Sequence, residues 1–376
     1  MDGGTEGAVP PSIMVSRALL LAPFLLASVA HAAQFPLVCC DPTAGKANVA
    51  FTHDKTAFAW IAGDGTLRAA VTASRGPIAD DQQIVLGQTA RSEAAVASDG
   101  ERALFVWTEG TGVKAELIPP VNNSLQPIFL GFNPNDTPPA VVWNGTHYVV
   151  LWSHVSNAVL ARAIDAQGNL DDKTHVLSPG GADVPFRLSI ASAGNDSLAV
   201  WDRYVFDLEG NGITRRSELA VVAADGTPRE APRTLTATGF GPSVASNGRE
   251  YFVVWHDANF EHLRGSVVSA SGAIEGEKAI ADGRFARLAW NGSQYVLLWQ
   301  TLVFFRPQVT YALMSEDGDL LHGPVFVAGD LYDYEVASRP ETGETALVIG
   351  ASIRQTLSEI QVLYLDPLRA RPVRRF

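Results

Sequence analysis

The chain has 376 residues, of which 47% are apolar and 18% are charged, and its formal net charge is −12 at pH 7. This composition predicts a folded protein, and 33 glycines and 22 prolines supply the turns that many short strands require. The acidic balance argues against a nucleic-acid ligand, because nucleic-acid binding draws most of its affinity from clustered Lys and Arg.

The N-terminal residues have the features of an export signal. Arg17 precedes an apolar run over residues 18–30, and Ala30-His31-Ala32 forms a small-x-small cleavage site. The run is shorter than the ~20 residues that span a bilayer, and no later apolar segment reaches that length. We expect translation to begin at Met14, residues 1–32 to be removed, and the mature protein to be secreted or periplasmic without a transmembrane segment.

The two cysteines of the chain are the adjacent Cys39 and Cys40. Adjacent cysteines cannot staple a fold, and a domain of this length needs no staple. A vicinal or intermolecular disulfide is one alternative, and lipidation is another, although the residue before a lipidated cysteine is usually small. We interpret the pair first as small core residues without a lipid anchor, because free cysteine is commonly a buried hydrophobe.

One phrase recurs along the chain: a small residue, a turn dipeptide ending in Gly, and an alternating apolar stretch that closes on Trp seven positions after that Gly. Its clearest copies are residues 97–107 (ASDGERALFVW) and 245–255 (ASNGREYFVVW). With weaker copies included, the anchors are Trp60, Trp107, Trp152, Trp201, Trp255, Trp299 and Ile349. Successive anchors lie 44 to 54 residues apart, a period that indicates a ring or solenoid of supersecondary units.

Each unit is interpreted as two hairpins. In the unit beginning at Pro242, a short first strand precedes Asn247-Gly248, for which we predict a type I′ turn with positive φ at both residues. Residues 251–255 then form the return strand. Equivalent turns occur at Asp99-Gly100, Asn144-Gly145 and Asn291-Gly292, and turns of the second hairpin at Arg75-Gly76, Gln167-Gly168, Asp225-Gly226, Ser271-Gly272 and Asp317-Gly318.

The second strand of each unit is apolar on both faces, so it needs a sheet above it and another below it. We therefore predict an all-β fold, a seven-bladed β-propeller of four-stranded antiparallel blades, as a single domain over residues 33–376. The last blade could take its fourth strand from residues 34–40 or from residues 371–376, and we favour closure by the N-terminal strand. An open β-solenoid or two smaller β-domains are the alternatives, but neither polar cap of a solenoid is visible.

The loops that join second to third strands share one face of a propeller with the loops that join successive blades. Polar residues follow most anchors in these loops: Thr108, Glu109, Ser153, His154, Asp202, Arg203, His256, Asp257 and Gln300. They form either a ring of hydrogen-bonding and acid/base groups around the channel mouth or ordinary polar loops that meet water.

The longest interval places its extra residues in the loop after Trp201. Asp207, Glu209 and Asn211 alternate there, glycines permit a sharp turn, and Glu218 follows. Oxygen ligands at alternate positions with a later carboxylate are what Ca²⁺ requires, whereas a long hairpin turning at residues 210–212 is the alternative. We keep Ca²⁺ as a hypothesis and expect no required cofactor.

Aromatic residues gather in the same loops of blades four to six. The predicted ligand site comprises Asp202, Arg203, Tyr204, Phe206, His256, Asp257, Phe260, His262, Phe304 and Phe305. If exposed, the rings form an apolar wall beside the polar groups, as in a sugar or peptide platform. The alternative is that the rings cap the blade ends as additional core.

No catalytic motif is present: the sequence has no G-x-S-x-G elbow, no H-E-x-x-H pair and no zinc-type cysteine spacing. The paired carboxylates of a glycosidase could be assembled from Glu109, Asp202 and Asp257. Their separation in space decides that chemistry.

The phrase A-S-N-G-R-E-Y-F-V-V-W, echoed as A-W-N-G-S-Q-Y-V-L-L-W and V-W-N-G-T-H-Y-V-V-L-W, resembles the repeats of secreted bacterial β-propeller proteins, many of uncharacterised function. The resemblance covers essentially the whole mature chain and implies the fold, but it implies little about activity, because propellers host both binders and enzymes. Trp-Asp occurs at one anchor without a matching Gly-His, and the sialidase box S-x-D-x-G-x-x-W is absent. No functional residues are therefore transferred.

We expect an exported, monomeric binding or scaffold module that recognises an extracellular or periplasmic glycan or protein on its second-to-third-strand loop face. The alternative is a carbohydrate-active hydrolase or lyase that uses carboxylates and His256 at the channel mouth.

Overall fold

The computed structural model describes residues 33–38, 47–88, 93–119, 126–135, 137–206, 213–329, 333–350 and 360–365. Within these residues, 28 strands pair as seven four-stranded antiparallel sheets in a ring, and a short 3₁₀ helix spans Asp80–Gln82. In the same residues, no helix has both the length and the apolar character needed to cross a membrane. The predicted seven-bladed β-propeller is confirmed.

Each blade uses its strands in chain order from the channel outward, except that the first strand of the chain, β1 (Ala33–Pro36), belongs to blade 7. Blade 1 comprises β2 (Ala47–Phe51), β3 (Thr56–Ile61), β4 (Leu67–Thr72) and β5 (Ile84–Gly87). Blade 2 comprises β6 (Ala95–Ser98), β7 (Ala103–Glu109), β8 (Gly112–Ile118) and β9 (Ile128–Phe132). Blade 3 comprises β10 (Ala140–Trp143), β11 (His147–Ser153), β12 (Val159–Asp165) and β13 (His175–Ser178).

Blade 4 comprises β14 (Val184–Ala193), β15 (Asp196–Phe206), β16 (Ile213–Val222) and β17 (Arg233–Thr236). Blade 5 comprises β18 (Phe240–Ser246), β19 (Tyr251–His256), β20 (His262–Val268) and β21 (Lys278–Asp282). Blade 6 comprises β22 (Arg284–Trp290), β23 (Tyr295–Val303), β24 (Arg306–Met314) and β25 (Leu320–Gly329). Blade 7 comprises β26 (Tyr334–Arg339), β27 (Glu344–Ile349), β28 (Gln361–Leu365) and the outer strand β1.

The ring closes through the first strand of the chain. β1 pairs antiparallel with β28, with Phe35 opposite Val362. The backbone N–H of Leu37 donates to the carbonyl of Ile360 at 2.7 Å, and the Leu37 side chain is fully buried. The predicted closure from the N-terminal side is confirmed, and residues 39, 40 and 371–376 lie outside the described residues.

The apolar core is divided among the spaces between blades. The described residues form seven buried clusters, and each cluster draws on two neighbouring blades. Between blades 1 and 2, for example, Ala57 and Ala59 pack with Phe105 and Trp107. Each second strand is thereby covered on both faces, as its continuous apolar pattern predicted.

The tryptophan anchors are equivalent wedges between blades. All six are at most 2% exposed, and Ile349 is equally buried. Four of them pack on a glycine at or near the end of the preceding blade's fourth strand, where an added Cβ would lie 2.3–3.1 Å from the indole: Gly87, Gly131, Gly239 and Gly283. Glycine is required there because a side chain would occupy the space of the ring.

The first-hairpin turns differ from the predicted type I′ geometry. Gly248 has a φ of 89°, but Asn247 is not among the described non-glycine residues with positive φ. Oδ1 of Asn247 instead accepts hydrogen bonds from the N–H groups of Arg249 and Glu250, both at 3.0 Å. The type I′ prediction is therefore wrong: the side chain satisfies the turn's backbone donors, and one left-handed glycine is sufficient.

Ring closure by β1 predicts a difference between two shortened chains. A chain that begins at Ala33 should keep the closed ring, whereas one that begins at Ala47 loses the outer strand of blade 7 and the buried Leu37. Loss of a fully buried leucine alone costs about 2 kcal/mol or more. We expect the shorter chain to melt roughly 4 °C lower or more, measured by circular dichroism. Equal melting temperatures would contradict closure by β1.

Candidate functional site

The first strands of the seven blades line a central channel with a cavity of about 840 Å³. This volume is in the range of small-ligand sites. Arg187 and Arg287 contribute cations to the channel wall, and Glu93, Asp333 and Glu335 contribute carboxyl groups. Nε of Arg287 donates to Glu335 at 2.8 Å. The channel therefore carries groups of both charges.

Blades 4, 5 and 6 share a backbone feature at the channel mouth. Their first strands, β14, β18 and β22, each contain a register shift against the second strand. At the same position of each shift, four residues before the small residue of the repeat, Arg187, Gly241 and Phe285 have positive φ values of 51°, 70° and 56°. In the described residues, the first strands of blades 1, 2, 3 and 7 pair without such a shift.

These irregularities direct side chains to one place. A β-bulge re-aims the side chains around it, and the left-handed region costs a non-glycine residue about 1–2 kcal/mol. Such strain is concentrated at functional sites. Gly241 must be glycine in this setting, because an added Cβ would lie 2.7 Å from Nε2 of His256 and 2.8 Å from Nη1 of Arg187.

Aromatic rings from blades 5 and 6 pack together at this position. The centroids of Phe240 and Phe260 are 4.3 Å apart, and those of Phe260 and Phe285 are 5.9 Å apart. His256 stacks on Phe260 at 4.6 Å. We define the mouth cluster by the following residues: Arg187, Asp202, Tyr204, Arg215, Phe240, Gly241, His256, Phe260 and Phe285.

Two guanidinium groups of the mouth cluster lie over aromatic rings. Cζ of Arg187 is 4.6 Å from the ring centroid of Phe285. Cζ of Arg215 is 4.4 Å from that of Phe240 and 5.4 Å from that of Phe260. Within the described part of the chain, neither guanidinium donates a hydrogen bond or forms an ion pair. Cation–π contacts therefore hold both groups while their N–H groups have no acceptor in the described protein.

Asp202 is a buried acid of the mouth cluster. It is 1% exposed and accepts hydrogen bonds from Oγ of Ser217 at 2.7 Å and from the N–H of Gly241 at 2.8 Å. Burial raises the pKa of Asp202 to about 7, against the opposing effects of these hydrogen bonds and of Arg187 and Arg215. Asp202 is therefore partly protonated at neutral pH.

His256 is a buried neutral base. Burial lowers its pKa to about 3, so the imidazole is uncharged at pH 7. Nδ1 donates to the carbonyl of Asp257 at 3.2 Å, which assigns the proton to Nδ1 and leaves Nε2 as an acceptor. Nε2 is buried without a partner among the described residues.

Part of the predicted ligand site lies in the mouth cluster, namely Asp202, Tyr204, His256 and Phe260. Arg203 lies elsewhere, because successive side chains of β15 point to opposite faces of the sheet. Its guanidinium is 3% exposed and binds Glu218 at 3.2 Å and the carbonyls of Asn157 and Asp183, both at 2.8 Å. Arg203 therefore joins blades 3 and 4.

Four other predicted residues lie outside the mouth cluster. Oδ1 of Asp257 accepts hydrogen bonds from the backbone of its own loop, and His262 pairs with Asp282 at 2.8 Å on the surface. Phe304 and Phe305 are 93% and 97% exposed at the tip of the β23–β24 hairpin, with φ values of 49° and 62°. At this exposure the two rings meet solvent and do not extend the aromatic packing of the mouth cluster.

Three of the predicted calcium ligands, Asp207, Glu209 and Asn211, lie outside the described residues, as does the side chain of Phe206. Glu218 is described, and it accepts hydrogen bonds from four donors: Nε1 of Trp201 at 2.9 Å, Nε of Arg203 at 3.2 Å, Nε of Arg216 at 3.0 Å and Oγ of Ser178 at 3.5 Å. No group of three or more His, Cys, Asp or Glu side chains that could hold a metal ion occurs among the described residues. Calcium binding stays a prediction.

The sequence analysis did not predict five residues of the mouth cluster: Arg187, Arg215, Phe240, Gly241 and Phe285. The residue type four positions before Ala191, Ala245 and Ala289 was the signal in the sequence that could have identified Arg187, Gly241 and Phe285. An Arg or a Phe there departs from the small residues expected beside a crowded axis.

Comparisons with known proteins concern the fold. No protein-family model matches the chain, and a search of curated proteins finds no match. Among solved structures, the chain is similar to hydrazine synthase from Kuenenia stuttgartiensis, with a TM-score of 0.51 and 13% identity, covering 83% of this chain and 94% of that one. It is also similar to Drosophila Semaphorin 2a, with a TM-score of 0.50 and 10% identity, covering 88% and 76%. Identities this low show the fold alone, and both solved structures share it with this chain.

The raised pKa of Asp202 predicts how the variant Asp202→Asn changes stability with pH. Because the folded pKa of about 7 exceeds the ordinary value of 3.8, native stability from this group is present below pH 4 and is lost as pH rises through 7. The asparagine side chain of the variant does not titrate. The unfolding free energy of the variant should therefore rise relative to that of the native protein by about 1.4 kcal/mol per pH unit between pH 4 and 7.

Urea unfolding at pH 4, 5.5 and 7 measures this difference in unfolding free energy. Asp257→Asn is the matched control, because the pKa of Asp257 is lowered and its difference should be flat above pH 4. A flat difference for Asp202→Asn would show that the buried carboxyl is ionised throughout.

The contacts of Glu218 predict a structural role. Glu218→Gln leaves Arg203 buried without its counter-charge and should cost about 3–5 kcal/mol. The control Glu277→Gln removes an exposed acid 3.8 Å from Arg264 and should cost less than about 1 kcal/mol. Thermal unfolding measures the loss of stability of each variant relative to the native protein. If Glu218 has only a structural role, both losses should be the same with Ca²⁺ as with a chelator. A native melting temperature that rises with Ca²⁺, and a Glu218→Gln protein that does not respond, would instead assign Glu218 to a metal site.

Proposed function

We propose that the protein is a binding module whose ligand enters the channel mouth and contacts the mouth cluster of blades 4, 5 and 6. One observation carries this proposal: three adjacent blades share a bulge that brings Arg187, Gly241 and Phe285 to one place, and two of these residues bear left-handed strain. A blade does not need this bulge to take its place in the ring, since the described first strands of the four other blades lack it.

The composition of the mouth cluster supports binding. Ligand sites are concave and mostly apolar, with a few placed polar groups. Aromatic and arginine side chains dominate the energetics of protein interfaces. Here Phe260 and Phe285 supply rings that are not fully buried, and Arg187 and Arg215 supply hydrogen-bond donors without acceptors in the described protein.

The ligand under this proposal is a glycan or a protein segment met outside the cytoplasm, and the module acts as an exported monomer. The export signal predicted over residues 1–32 supports this location. A concave mouth beside a channel suits a chain end or a short segment better than a broad flat surface.

The alternative function, a hydrolase or lyase, has less support in the positions of the predicted carboxylates. Glu109 pairs with Lys114, Asp202 is buried, and Asp257 accepts hydrogen bonds from its own loop. These acids lie on blades 2, 4 and 5, and no hydrogen bond between any two of them occurs in the described residues. Asp202 has a pKa suited to proton transfer at neutral pH, but at 1% exposure it does not reach the channel.

Phe285→Gly tests the site. The variant removes a ring of the mouth cluster and should fold, because glycine relieves the left-handed strain at residue 285 and blade 5 already has Gly241 at the same position. Labelled native protein is applied to a glycan array and a peptide array, and we expect the variant to lose at least about tenfold in affinity for the probes that the native protein binds, equivalent to ~1.4 kcal/mol.

The control Phe304→Ser/Phe305→Ser removes two exposed rings outside the mouth cluster and should bind as the native protein does. Unchanged binding by Phe285→Gly, or no bound probe on either array, would count against the proposed function.

A further inference from the structure

We propose that the mouth cluster binds a carboxylate group between Arg187 and Arg215, so that the ligand of this module is acidic. The proposal rests on the proposed function and names the chemical class of its ligand.

The two arginines belong to one pocket. Arg187 lies over Phe285 and Arg215 lies over Phe240 and Phe260, and these three rings form a continuous set of contacts. Both cations oppose the rise in the pKa of Asp202 and contribute to the fall in the pKa of His256. Arg187 and Arg215 therefore act on the same small volume, although they lie on different strands of blade 4.

The positive charge of this pocket is poorly compensated by the protein. The acid that interacts with both arginines is Asp202, which is already hydrogen-bonded to Ser217 and Gly241 and is partly protonated at neutral pH. Burial lowers the pKa of Arg187, and the charge of Arg287 lowers it further. An anion that enters this desolvated site would interact with the two cations more strongly than it would in water.

Neighbouring arginines show that this lack of acceptors is local. A smaller cavity of about 240 Å³ is lined by Arg229 and Arg233. Arg229 donates to both carboxylate oxygens of Asp196, at 3.1 and 2.8 Å, and Arg233 donates to the carbonyl of Gly272 at 2.7 Å. The arginines of the mouth cluster, by contrast, donate no hydrogen bond and form no ion pair among the described residues.

The geometry and charge of the channel favour a carboxylate over a phosphate. A guanidinium stacked on a ring presents its N–H groups at its edge, where a planar carboxylate fits with two parallel hydrogen bonds. Glu93, Asp333 and Glu335 also line the channel, so a group with a single negative charge meets less repulsion than a phosphate monoester with nearly two. The ring contacts fix the cations in advance, which reduces the entropy lost on binding.

Saturation-transfer NMR on the native protein tests the proposal with three small probes. D-glucuronate represents a sugar acid, the α-amide of N-acetyl-L-aspartate represents an acidic peptide side chain, and D-glucose is the neutral control. We expect signal from at least one carboxylate and none from glucose. Inorganic phosphate, added as a competitor, should displace the bound carboxylate only at a higher concentration than the carboxylate itself.

Arg187→Gly removes one cation at a left-handed position where glycine is favoured, so the fold should be kept. We expect it to weaken carboxylate binding at least tenfold without lowering the melting temperature. Arg229→Gln, which removes a cation of the same blade outside the mouth cluster, should leave the affinity unchanged. Stronger binding of glucuronate than of N-acetylaspartate α-amide would assign the carboxylate to a glycan, and the reverse order would assign it to a peptide.

The proposal is overturned if neither carboxylate binds, if glucose binds as well as glucuronate, if phosphate is the stronger ligand, or if Arg187→Gly binds as the native protein does. Should Phe285→Gly abolish array binding while no carboxylate binds, the proposed function stands and only the acidic class of ligand fails.

Discussion

The ring depends on the packing of a buried anchor side chain between each pair of neighbouring blades, and four of the tryptophan anchors pack on a glycine of the preceding blade. A single blade buries neither face of its second strand, so the blade is stable only between two others. The anchor tryptophans are the largest fully buried side chains of the described residues, and the indole fits because glycines such as Gly239 and Gly283 let the neighbouring backbone approach. Between blades 7 and 1, Leu37 and Val38 of the N-terminal segment join Trp60 in the closing cluster.

Because the packing between blades holds the ring together, the first strands of the blades can differ in their backbone conformation. In blades 1, 2, 3 and 7 the described first strands pair regularly, whereas in blades 4, 5 and 6 bulges bring Arg187 and Phe285 to the channel mouth. The packing between blades holds these strained residues in place. As a result, two arginines without hydrogen-bond acceptors among the described residues lie close together in a chain of net charge −12. The position of these charges, rather than the total charge, determines the local field.

The residues after the anchors illustrate how far a sequence interpretation reaches. Asp202 and Arg203 are adjacent and polar, and both were placed in a loop at the channel mouth. β15 continues beyond them to Phe206, so Asp202 joins the mouth cluster and Arg203 turns to Glu218 in the space between blades. Because β15 continues past its anchor, the side chains of adjacent residues point to opposite faces of the sheet. The residue types after Trp201 do not predict that the strand continues.

The sequence by itself determined the all-β class, the number of blades and the strand order, and it favoured the N-terminal strand for closing the ring without deciding between the two termini. These follow from local alternation, turn residues and a repeat period, which neighbouring residues encode. Only the tertiary structure decided that Arg187, Arg215, Phe240 and Phe285 meet, and that two of their guanidiniums have no acceptor among the described residues. Those contacts join strands up to 98 residues apart through ring curvature and three bulges, which no local pattern specifies.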